Sequence, residues 1–433
     1  MSPRSVPARA CALFLVAGLL AACAHHPAPA PAAPATAAAP AAVPAPHKLL
    51  LISIDGLRAD ALGPAAMPHL SRLADEGVRA RWMNPSYPSL TFPNHYAIVT
   101  GLRPDRHGIV HNTMEDPVLG RFSLGDSAAV SEPRWWGGEP IWIGAENAGI
   151  RSATWAWPGS EAPILGRHPS IWQTFDGSVP ADARVDTVLG WLGQSGPAAP
   201  RLLTLYFDQV DHAGHDHGPR SPEYARAVGE VDAAIGRLLD GMAGRHMLDT
   251  TDIVVVSDHG MAEVGADHVM ALDAIVPADE ARVVASGQSL AIAPLPGREA
   301  AVEARLLGAH PHYDCWRKAE LPARWHYGRN PRIPAIVCQM HEGWDAVSAK
   351  KRDARLDAGE VTGSHGYDPL LPSMRAVFVA RGPSFRSGVE LAPFDNVDVY
   401  PLLARLLGIA PAPNDGDIAP LLPALRAGAP AAP

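Results

Sequence analysis

Four apolar runs in the chain have the length of strands and lack the alternation of a half-exposed strand. The first and third close on Asp55 and Asp258, and the second is followed directly by Asp208. Uninterrupted apolar runs of this length are typical of strands that are buried on both faces of a parallel sheet. The four predicted strands span residues 48–55, 202–207, 252–258 and 374–380.

Helical patterns lie between and after these strands. Residues 67–77 predict a helix, with a proline at its first position and a glycine just past its end. Apolar residues recur at helical spacing over 221–238, and residues 397–407 predict a late helix. The alternation predicts an α/β fold with a mostly parallel central sheet and helices on both faces. Residues 298–355, rich in Arg, Trp, His and Pro, predict a small inserted lobe or cap.

The N-terminal segment predicts targeting rather than structure. Residues 1–22 combine two arginines with an apolar run that is too short to span a membrane, as in a signal peptide. The run ends in Leu-Ala-Ala-Cys, which resembles the lipobox of bacterial lipoproteins, and this predicts lipidation of Cys23. An ordinary cleaved signal peptide is the alternative. Residues 23–46, almost all Ala, Pro and His, predict a tether.

These features predict an exported protein, periplasmic and anchored to the membrane through its lipid. A single catalytic domain is expected over residues 47–425, followed by a flexible tail at 426–433. Cys315 and Cys338 remain in the folded part, and in an oxidising compartment such a pair favours a disulfide. Two buried thiols are the alternative.

The charge balance limits the partners. The chain has 36 basic and 45 acidic residues, a net charge of −9. Because a surface of that sign does not attract polyanions, no long nucleic acid is expected as a partner. A small anionic substrate would need cations placed locally, and this points to metal ions.

Candidate metal ligands follow the predicted strands. Zinc binds imidazole nitrogen and carboxylate oxygen, and a catalytic site keeps a position open for substrate. Three aspartates and three histidines make two such half-shells, which suits paired metals. Any one of them alone would more often be a helix cap or a core histidine, but six at one sheet edge favour a metal site. The six are Asp55, Asp211, His215, Asp258, His259 and His365.

Thr91 is the candidate nucleophile. It precedes Pro93, and residues 94–100 predict the helix that follows. A hydroxyl at a helix N-terminus faces free N–H groups and a partial positive charge, which favours phosphate binding. The alternative is that Thr91 serves only as an N-cap.

Several segments together resemble the nucleotide pyrophosphatase/phosphodiesterase family of the alkaline phosphatase superfamily. The similarity extends from about residue 48 to residue 416. It implies a hydrolase that releases a nucleoside monophosphate through a covalent phosphothreonine intermediate. The segments that carry the resemblance are 91–112, 155–161, 211–215, 257–261, 364–368 and 393–416.

The resemblance also implies roles for individual residues. One Zn²⁺ would be held by Asp211, His215 and His365, and a second by Asp55, Asp258, His259 and the Thr91 oxygen. The side chain of Asn112 and the backbone amide of Phe92 would bind a phosphoryl oxygen. Phe92 and Tyr206 would stack on a nucleobase.

Other functions on the same fold stay open at this point. One is a phospholipid-headgroup phosphodiesterase and another is a phosphate monoesterase. Against the monoesterase, which would need a cation near the phosphoryl group for the extra charge, the motif segments place no Lys or Arg directly beside Thr91 or the candidate metal ligands. A non-catalytic surface binding protein is a third alternative, but it would be expected to lack a ligand or the nucleophile. The physiological substrate and the oligomeric state do not follow from the sequence.

Overall fold

The computed structural model describes residues 47–429, and at its centre lies an eight-stranded sheet. Strand β19 is antiparallel to both of its neighbours, and the other pairs are parallel. The predicted α/β fold with a mostly parallel sheet is therefore confirmed. In spatial order the strands are β20 (Val389–Leu391), β2 (Val78–Ala80), β19 (Phe378–Arg381), β9 (Thr251–Val256), β1 (Lys48–Ile54), β8 (Leu202–Phe207), β6 (Ser152–Trp155) and β7 (Ile171–Gln173).

Helices cover both faces of this sheet. Helices α1, α6 and α8 contribute to the apolar cluster on one face, and α2, α5 and α12 to the cluster on the other. The helices are α1 (Pro68–Glu76), α2 (Thr91–Thr100), α3 (Pro104–His107), α4 (Ser127–Val130), α5 (Ile141–Asn147), α6 (Ala181–Leu192), α7 (Gln209–His217), α8 (Pro222–Ala243), α9 (Leu272–Ile275), α10 (Glu299–Leu306), α11 (Ala349–Ala358) and α12 (Val399–Leu407).

The central position of strand β1 in the sheet explains why its sequence is apolar without alternation. Leu49 and Leu51 pack into the cluster on one face, whereas Leu50 and Ile52 pack into the cluster on the other. All four side chains are at most 1% exposed. Burial on both faces favours apolar side chains along β1. Its polar residue Ser53, near the end of the strand, is buried and contacts His95, and Asp55 directly follows the end of the strand at Ile54.

A second, antiparallel sheet lies later in the chain and has its own apolar cluster. This sheet begins at Ala281, before the first residue of the lobe predicted over 298–355, and the bounds of that lobe stay a prediction. Cys315 and Cys338 face each other on its central strands and form a disulfide, as predicted. Its strands, in order, are β12 (Ala281–Ala285), β13 (Ser289–Pro294), β16 (Ile336–Met340), β15 (Tyr313–Arg317) and β14 (Gly308–Ala309).

Four small two-stranded pairs complete the described structure. The pairs are β3 (Met83–Asn84) with β21 (Phe394–Asp395), β4 (Thr113–Asp116) with β5 (Gly120–Ser123), β10 (Ala262–Val264) with β18 (Thr362–Ser364), and β11 (Val269–Ala271) with β17 (Asp345–Val347). Over residues 47–429, no helix has both the length and the apolar character needed to cross a membrane. The predicted signal peptide, the tether and Cys23 lie outside the described residues, as do residues 430–433 of the predicted tail.

Candidate metal centre and nucleophile

The sheet brings the predicted ligands to one edge. Strand β1 pairs in parallel with β8 on one side and with β9 on the other. In this register Ser53 lies opposite both Tyr206 and Val256, so the three strands end side by side. Asp55 follows β1, and Asp258 follows β9. The carboxyl ends of neighbouring parallel strands are where such sheets place their ligands.

Asp211, His215 and His365 form the first group. Asp211 and His215 are four residues apart on α7, so both side chains lie on one helix face. His365 comes just after β18 and reaches the same point. Its Nε2 atom lies 3.6 Å from Oδ1 of Asp211, and His215 Nε2 lies 3.4 Å from Oδ2 of Asp211. These three residues can hold a metal ion between them.

The tautomers of the two histidines support a cation in this group. Nδ1 of His215 lies 3.0 Å from the carbonyl oxygen of Gly363, and Nδ1 of His365 lies 2.8 Å from that of Ser89. A carbonyl only accepts, so each Nδ1 carries the proton. Both Nε2 lone pairs then face each other at 3.0 Å. Burial, together with the imidazoles of His259 and His215, lowers the pKa of His365 well below its usual value, which keeps this ring neutral.

Asp55, Asp258 and His259 form the second group. Nδ1 of His259 donates to the carbonyl oxygen of Gly260 at 2.9 Å. Its Nε2 lies 2.9 Å from Oδ2 of Asp258 and 3.5 Å from Oδ1 of Asp55. One buried oxygen on each of Asp55, Asp258 and Asp211 has no hydrogen-bond partner. Burial, followed by the charges of Asp258 and Asp211, raises the pKa of Asp55 well above its usual value. Bound cations would satisfy these oxygens, and the donor set suits zinc.

The two groups adjoin each other. The rings of His259 and His365 stack with their centroids 3.6 Å apart, and the Asp211 carboxylate can also join Asp55 and His259 around one ion. Gly56 makes this approach possible. A Cβ atom there would lie 2.8 Å from Oδ1 of Asp211, and the backbone φ of +67° also favours glycine. The adjacent groups suit a pair of metal ions a few ångströms apart.

Thr91 lies beside the second group. Helix α2 begins at Thr91 itself, three residues earlier than the predicted 94–100. The N-cap is Leu90, whose side chain makes no capping hydrogen bond. Thr91 is therefore not the N-cap that the alternative interpretation required. Its Oγ1 atom lies 3.3 Å from Nε2 of His259, so the hydroxyl faces the candidate metal ligands.

His95 also lies within reach of Asp55 and Asp258. Its Nδ1 donates to the carbonyl oxygen of Thr91 at 2.9 Å, and its Nε2 contacts Oγ of Ser53 at 2.8 Å. Because Nδ1, the atom 3.3 Å from Asp258, carries a proton, it has no lone pair for a metal. His95 therefore holds the first turn of α2 against the sheet.

Asn112 lies next to the nucleophile through Phe92. The backbone N–H of Phe92 donates to Oδ1 of Asn112 at 3.0 Å. This contact differs from the expectation that the Phe92 amide binds a phosphoryl oxygen, because that N–H already has an acceptor. It also fixes the Asn112 amide, since a backbone N–H can contact only the oxygen. Asn112 Nδ2 is then the donor that remains for an oxyanion beside Thr91.

Tyr206 does not lie where base stacking would require it. Its side chain is only 7% exposed, and its hydroxyl donates to Oδ2 of Asp55 at 2.5 Å. The rings of His95 and Phe175 contact it edge-to-face, at 5.2 and 5.9 Å. The prediction overlooked that a residue inside β8 is covered on both faces. Tyr206 instead orients a candidate metal ligand.

Phe175 is the aromatic residue that the sequence did not single out. It follows the edge strand β7, and it is 46% exposed. Its backbone N–H donates to Glu161 at 2.8 Å, which fixes the loop beside Tyr206. The signal available in the sequence was an aromatic residue between a short strand and Gly177, but no spacing linked it to the metal ligands.

Comparison with known proteins identifies the family. The sequence profile of type I phosphodiesterase / nucleotide pyrophosphatase matches residues 49–368. An uncharacterized pyrophosphatase/phosphodiesterase of Schizosaccharomyces pombe is 36% identical, and the alignment covers 87% of this chain and 80% of that protein. Ectonucleotide pyrophosphatase/phosphodiesterase family member 3 of Rattus norvegicus is 35% identical over 85% of this chain, but only 43% of the relative is covered.

A solved structure agrees with this family. It is an inactive threonine-to-alanine variant of murine ectonucleotide pyrophosphatase/phosphodiesterase 5 in complex with AMP. It is 32% identical, has a TM-score of 0.82, and the match covers 88% of this chain and 100% of the other. The chain belongs to the type I phosphodiesterase / nucleotide pyrophosphatase family, within the alkaline phosphatase superfamily, as its motifs predicted. The family does not favour a phospholipid-headgroup diesterase or a monoesterase.

Proposed function

We propose that this chain hydrolyses phosphodiester or pyrophosphate bonds of nucleotides with two zinc ions and Thr91 as the covalent nucleophile. The observation that carries the proposal is the hydroxyl of Thr91, at the start of α2 and 3.3 Å from Nε2 of His259. The inactive threonine-to-alanine variant of the murine relative supports a threonine in this role. The product would be a nucleoside monophosphate, and AMP is bound in that relative.

The two ligand groups divide the zinc ions between them. Asp211, His215 and His365 would hold one ion. Asp55, Asp258, His259 and the Thr91 oxygen would hold the other, an assignment that the family resemblance implies and that the short distances among these residues support. When bound, zinc lowers the pKa of an oxygen that it contacts and offsets the charge that develops on phosphate.

The residues of the chain would then act in two displacements. Oγ1 of Thr91 forms a bond to phosphorus as the bond to the leaving oxygen breaks, and the leaving group departs with the electron pair. This gives a phosphothreonine that still carries the nucleoside. Nδ2 of Asn112 donates to a non-bridging oxygen, where negative charge develops. Water then attacks the phosphorus, the bond to Thr91 breaks, and the nucleoside monophosphate leaves.

Base recognition would use Phe92 and Phe175 rather than Tyr206. Phe92 directly follows the nucleophile and packs against Phe122 and Trp136, with ring centroids 5.9 and 6.0 Å away. Phe175 packs edge-to-face against Tyr206, which contacts the candidate ligand Asp55. An exposed aromatic face stacks on any base with little preference.

The cellular setting is proposed with the function. The disulfide between Cys315 and Cys338 is typical of an oxidising compartment outside the cytoplasm. The disulfide supports export to the periplasm. The lipid anchor at Cys23 is proposed from the lipobox-like sequence alone. A small nucleotide remains the expected partner, and no long nucleic acid is expected to bind.

The test replaces Thr91 and follows the intermediate directly. The test mixes three zinc-loaded proteins with a nucleoside p-nitrophenyl phosphate: wild type, Thr91→Ala and Thr91→Ser. Each reaction is quenched in acid, and the mass of the protein is measured by intact mass spectrometry. Wild type and Thr91→Ser should carry the mass of a nucleoside monophosphate, whereas Thr91→Ala should not and should lose most turnover. Zinc content should stay near two per chain in Thr91→Ala, because the aspartates and histidines remain. Near-normal kcat in Thr91→Ala rules out the nucleophile.

A further inference from the structure

A cavity of about 470 Å³ opens beside the first metal group. This volume is within the range of pockets that bind small ligands, about 300–1,000 Å³. The wall nearest the metal group includes His215 on α7 and the residue before His365. Other lining residues belong to β17 and α11. Residues that matter for its chemistry are His215, Gln288, Asp345, Lys351, Arg355 and Ser364.

The position of Thr91 indicates what enters this cavity, if the proposed function holds. In a displacement at phosphorus the attacking and leaving oxygens lie roughly in line, on opposite sides. Thr91 belongs to the group of Asp55, Asp258 and His259. The leaving oxygen therefore meets the other group, and the cavity continues outward from that group past His215. The cavity is thus on the path of the leaving group and not of the nucleoside.

The charges in the cavity select the kind of leaving group. The Arg355 guanidinium is already engaged, because it donates to Asp345 at 2.6 Å and contacts Thr362. Lys351 is exposed, and within residues 47–429 its ammonium forms no ion pair with any carboxylate. Asp216 is the acidic residue on the wall that is not paired with arginine. One exposed lysine without an ion-pair partner among the described residues therefore lines a polar cavity that adjoins the metal group.

We propose that this cavity binds a leaving group that begins with its own phosphate, and that Lys351 contacts that phosphate. The preferred substrates are then nucleotides with a pyrophosphate bond, such as nucleotide sugars. Diesters whose leaving group carries no phosphate would gain nothing from Lys351. A lysine makes a point-charge contact with phosphate, and its four-carbon stem lets it follow the leaving group.

Lys350 provides a matched control. It is adjacent on α11 and exposed, but it does not line the cavity. Zinc-loaded wild type, Lys351→Gln and Lys350→Gln are assayed with two substrates. With UDP-glucose the leaving group is a phosphorylated sugar, whereas with the p-nitrophenyl ester of UMP the leaving group is p-nitrophenolate. Both substrates deliver the same uridylyl group to Thr91.

The measured quantity is the ratio of kcat/KM for UDP-glucose to kcat/KM for the ester. Lys351→Gln should lower this ratio about 5- to 20-fold, and Lys350→Gln should leave it within about twofold of wild type. Asp216→Asn should raise the ratio, because it removes the opposing charge. An unchanged ratio in Lys351→Gln, or an equal fall in Lys350→Gln, overturns the inference.

A binding measurement separates this inference from the proposed function. UDP-glucose and UMP are titrated calorimetrically into zinc-loaded Thr91→Ala, with and without Lys351→Gln. Lys351→Gln should weaken the binding of UDP-glucose about 5- to 20-fold, while the affinity for UMP stays within about twofold of that without the substitution. A wild type that hydrolyses neither substrate would contradict the proposed function alone. Equal losses for the two ligands, or no loss, would contradict the cavity assignment alone.

Discussion

The hydrogen bond from Tyr206 to Asp55 makes a prediction that separates two roles for this tyrosine. Tyr206→Phe removes the hydroxyl and keeps the ring. If the ring stacked on a base, the variant would behave like wild type. In the structure the hydroxyl donates to Oδ2 of Asp55 at 2.5 Å, while Oδ1 of Asp55 has no partner. The substitution therefore leaves a buried carboxylate with no side-chain donor.

The size of the effect follows from the kind of bond. A hydrogen bond to a charged group contributes about 1.5–3 kcal/mol, and at 1.36 kcal/mol per decade this is roughly 10- to 150-fold. Loss of a hydrogen bond that orients a metal ligand typically costs about 10- to 100-fold in affinity or activity. The bond to Tyr206 lowers the pKa of Asp55, so its loss also increases competition from protons. We expect Tyr206→Phe to lower the affinity for the zinc ion proposed at Asp55 about 10- to 100-fold.

Chelator competition measures zinc affinity, and the p-nitrophenyl ester of a nucleotide reports activity at saturating zinc. Tyr224→Phe is the matched control, because that hydroxyl donates at 3.2 Å to the backbone carbonyl of Gly56, beside the ligand but not on it. It should retain zinc affinity within about threefold. Wild-type zinc affinity together with wild-type kcat/KM in Tyr206→Phe would refute the reasoning and reopen the stacking role.

Two further predictions concern the rim of the site and the pH dependence of stability. Phe175→Ala should lower kcat/KM for nucleotide esters about 5- to 150-fold and spare methyl p-nitrophenyl phosphate, whereas Trp172→Ala, an exposed aromatic on β7, should affect neither. Burial raises the pKa of Asp398 to about 6. Its stabilising contribution is thus fully present below its unfolded pKa of about 3.9 and is lost as pH rises through 6. Urea unfolding should therefore show wild type losing stability relative to Asp398→Asn between about pH 4 and 6 and little further change above that, and a constant difference across this window would contradict the shifted pKa.

The parts of the site that the sequence predicted are those fixed by strand topology. Asp55 and Asp258 each follow an apolar run, and parallel neighbours bring such ends together whatever the lengths of the connections. Asp211 and His215 lie on one face because helical spacing is local. His365 is 154 positions after Asp211 in the chain, and only the family resemblance grouped it with the others.

The parts that the sequence did not predict depend on packing across the sheet. Tyr206 has the same sequence neighbourhood whether its ring is covered or open, and the covering side chains of His95 and Phe175 come from distant segments. The fourth strand begins at Phe378 rather than at residue 374, because Pro372–Met374 forms a 3-10 turn. Local propensity does not reveal either arrangement, since each is decided by the neighbours.

The backbone, rather than any side-chain motif, prepares the histidines for metal. Nδ1 of His215, of His259 and of His365 each faces a carbonyl oxygen, from Gly363, Gly260 and Ser89 respectively. Each carbonyl selects the tautomer whose Nε2 lone pair is directed at the carboxylates or at another imidazole. A cation bound among these groups would satisfy the lone pairs and carboxylate oxygens that this arrangement brings together. Every residue has a carbonyl, so no sequence pattern could identify which three act here.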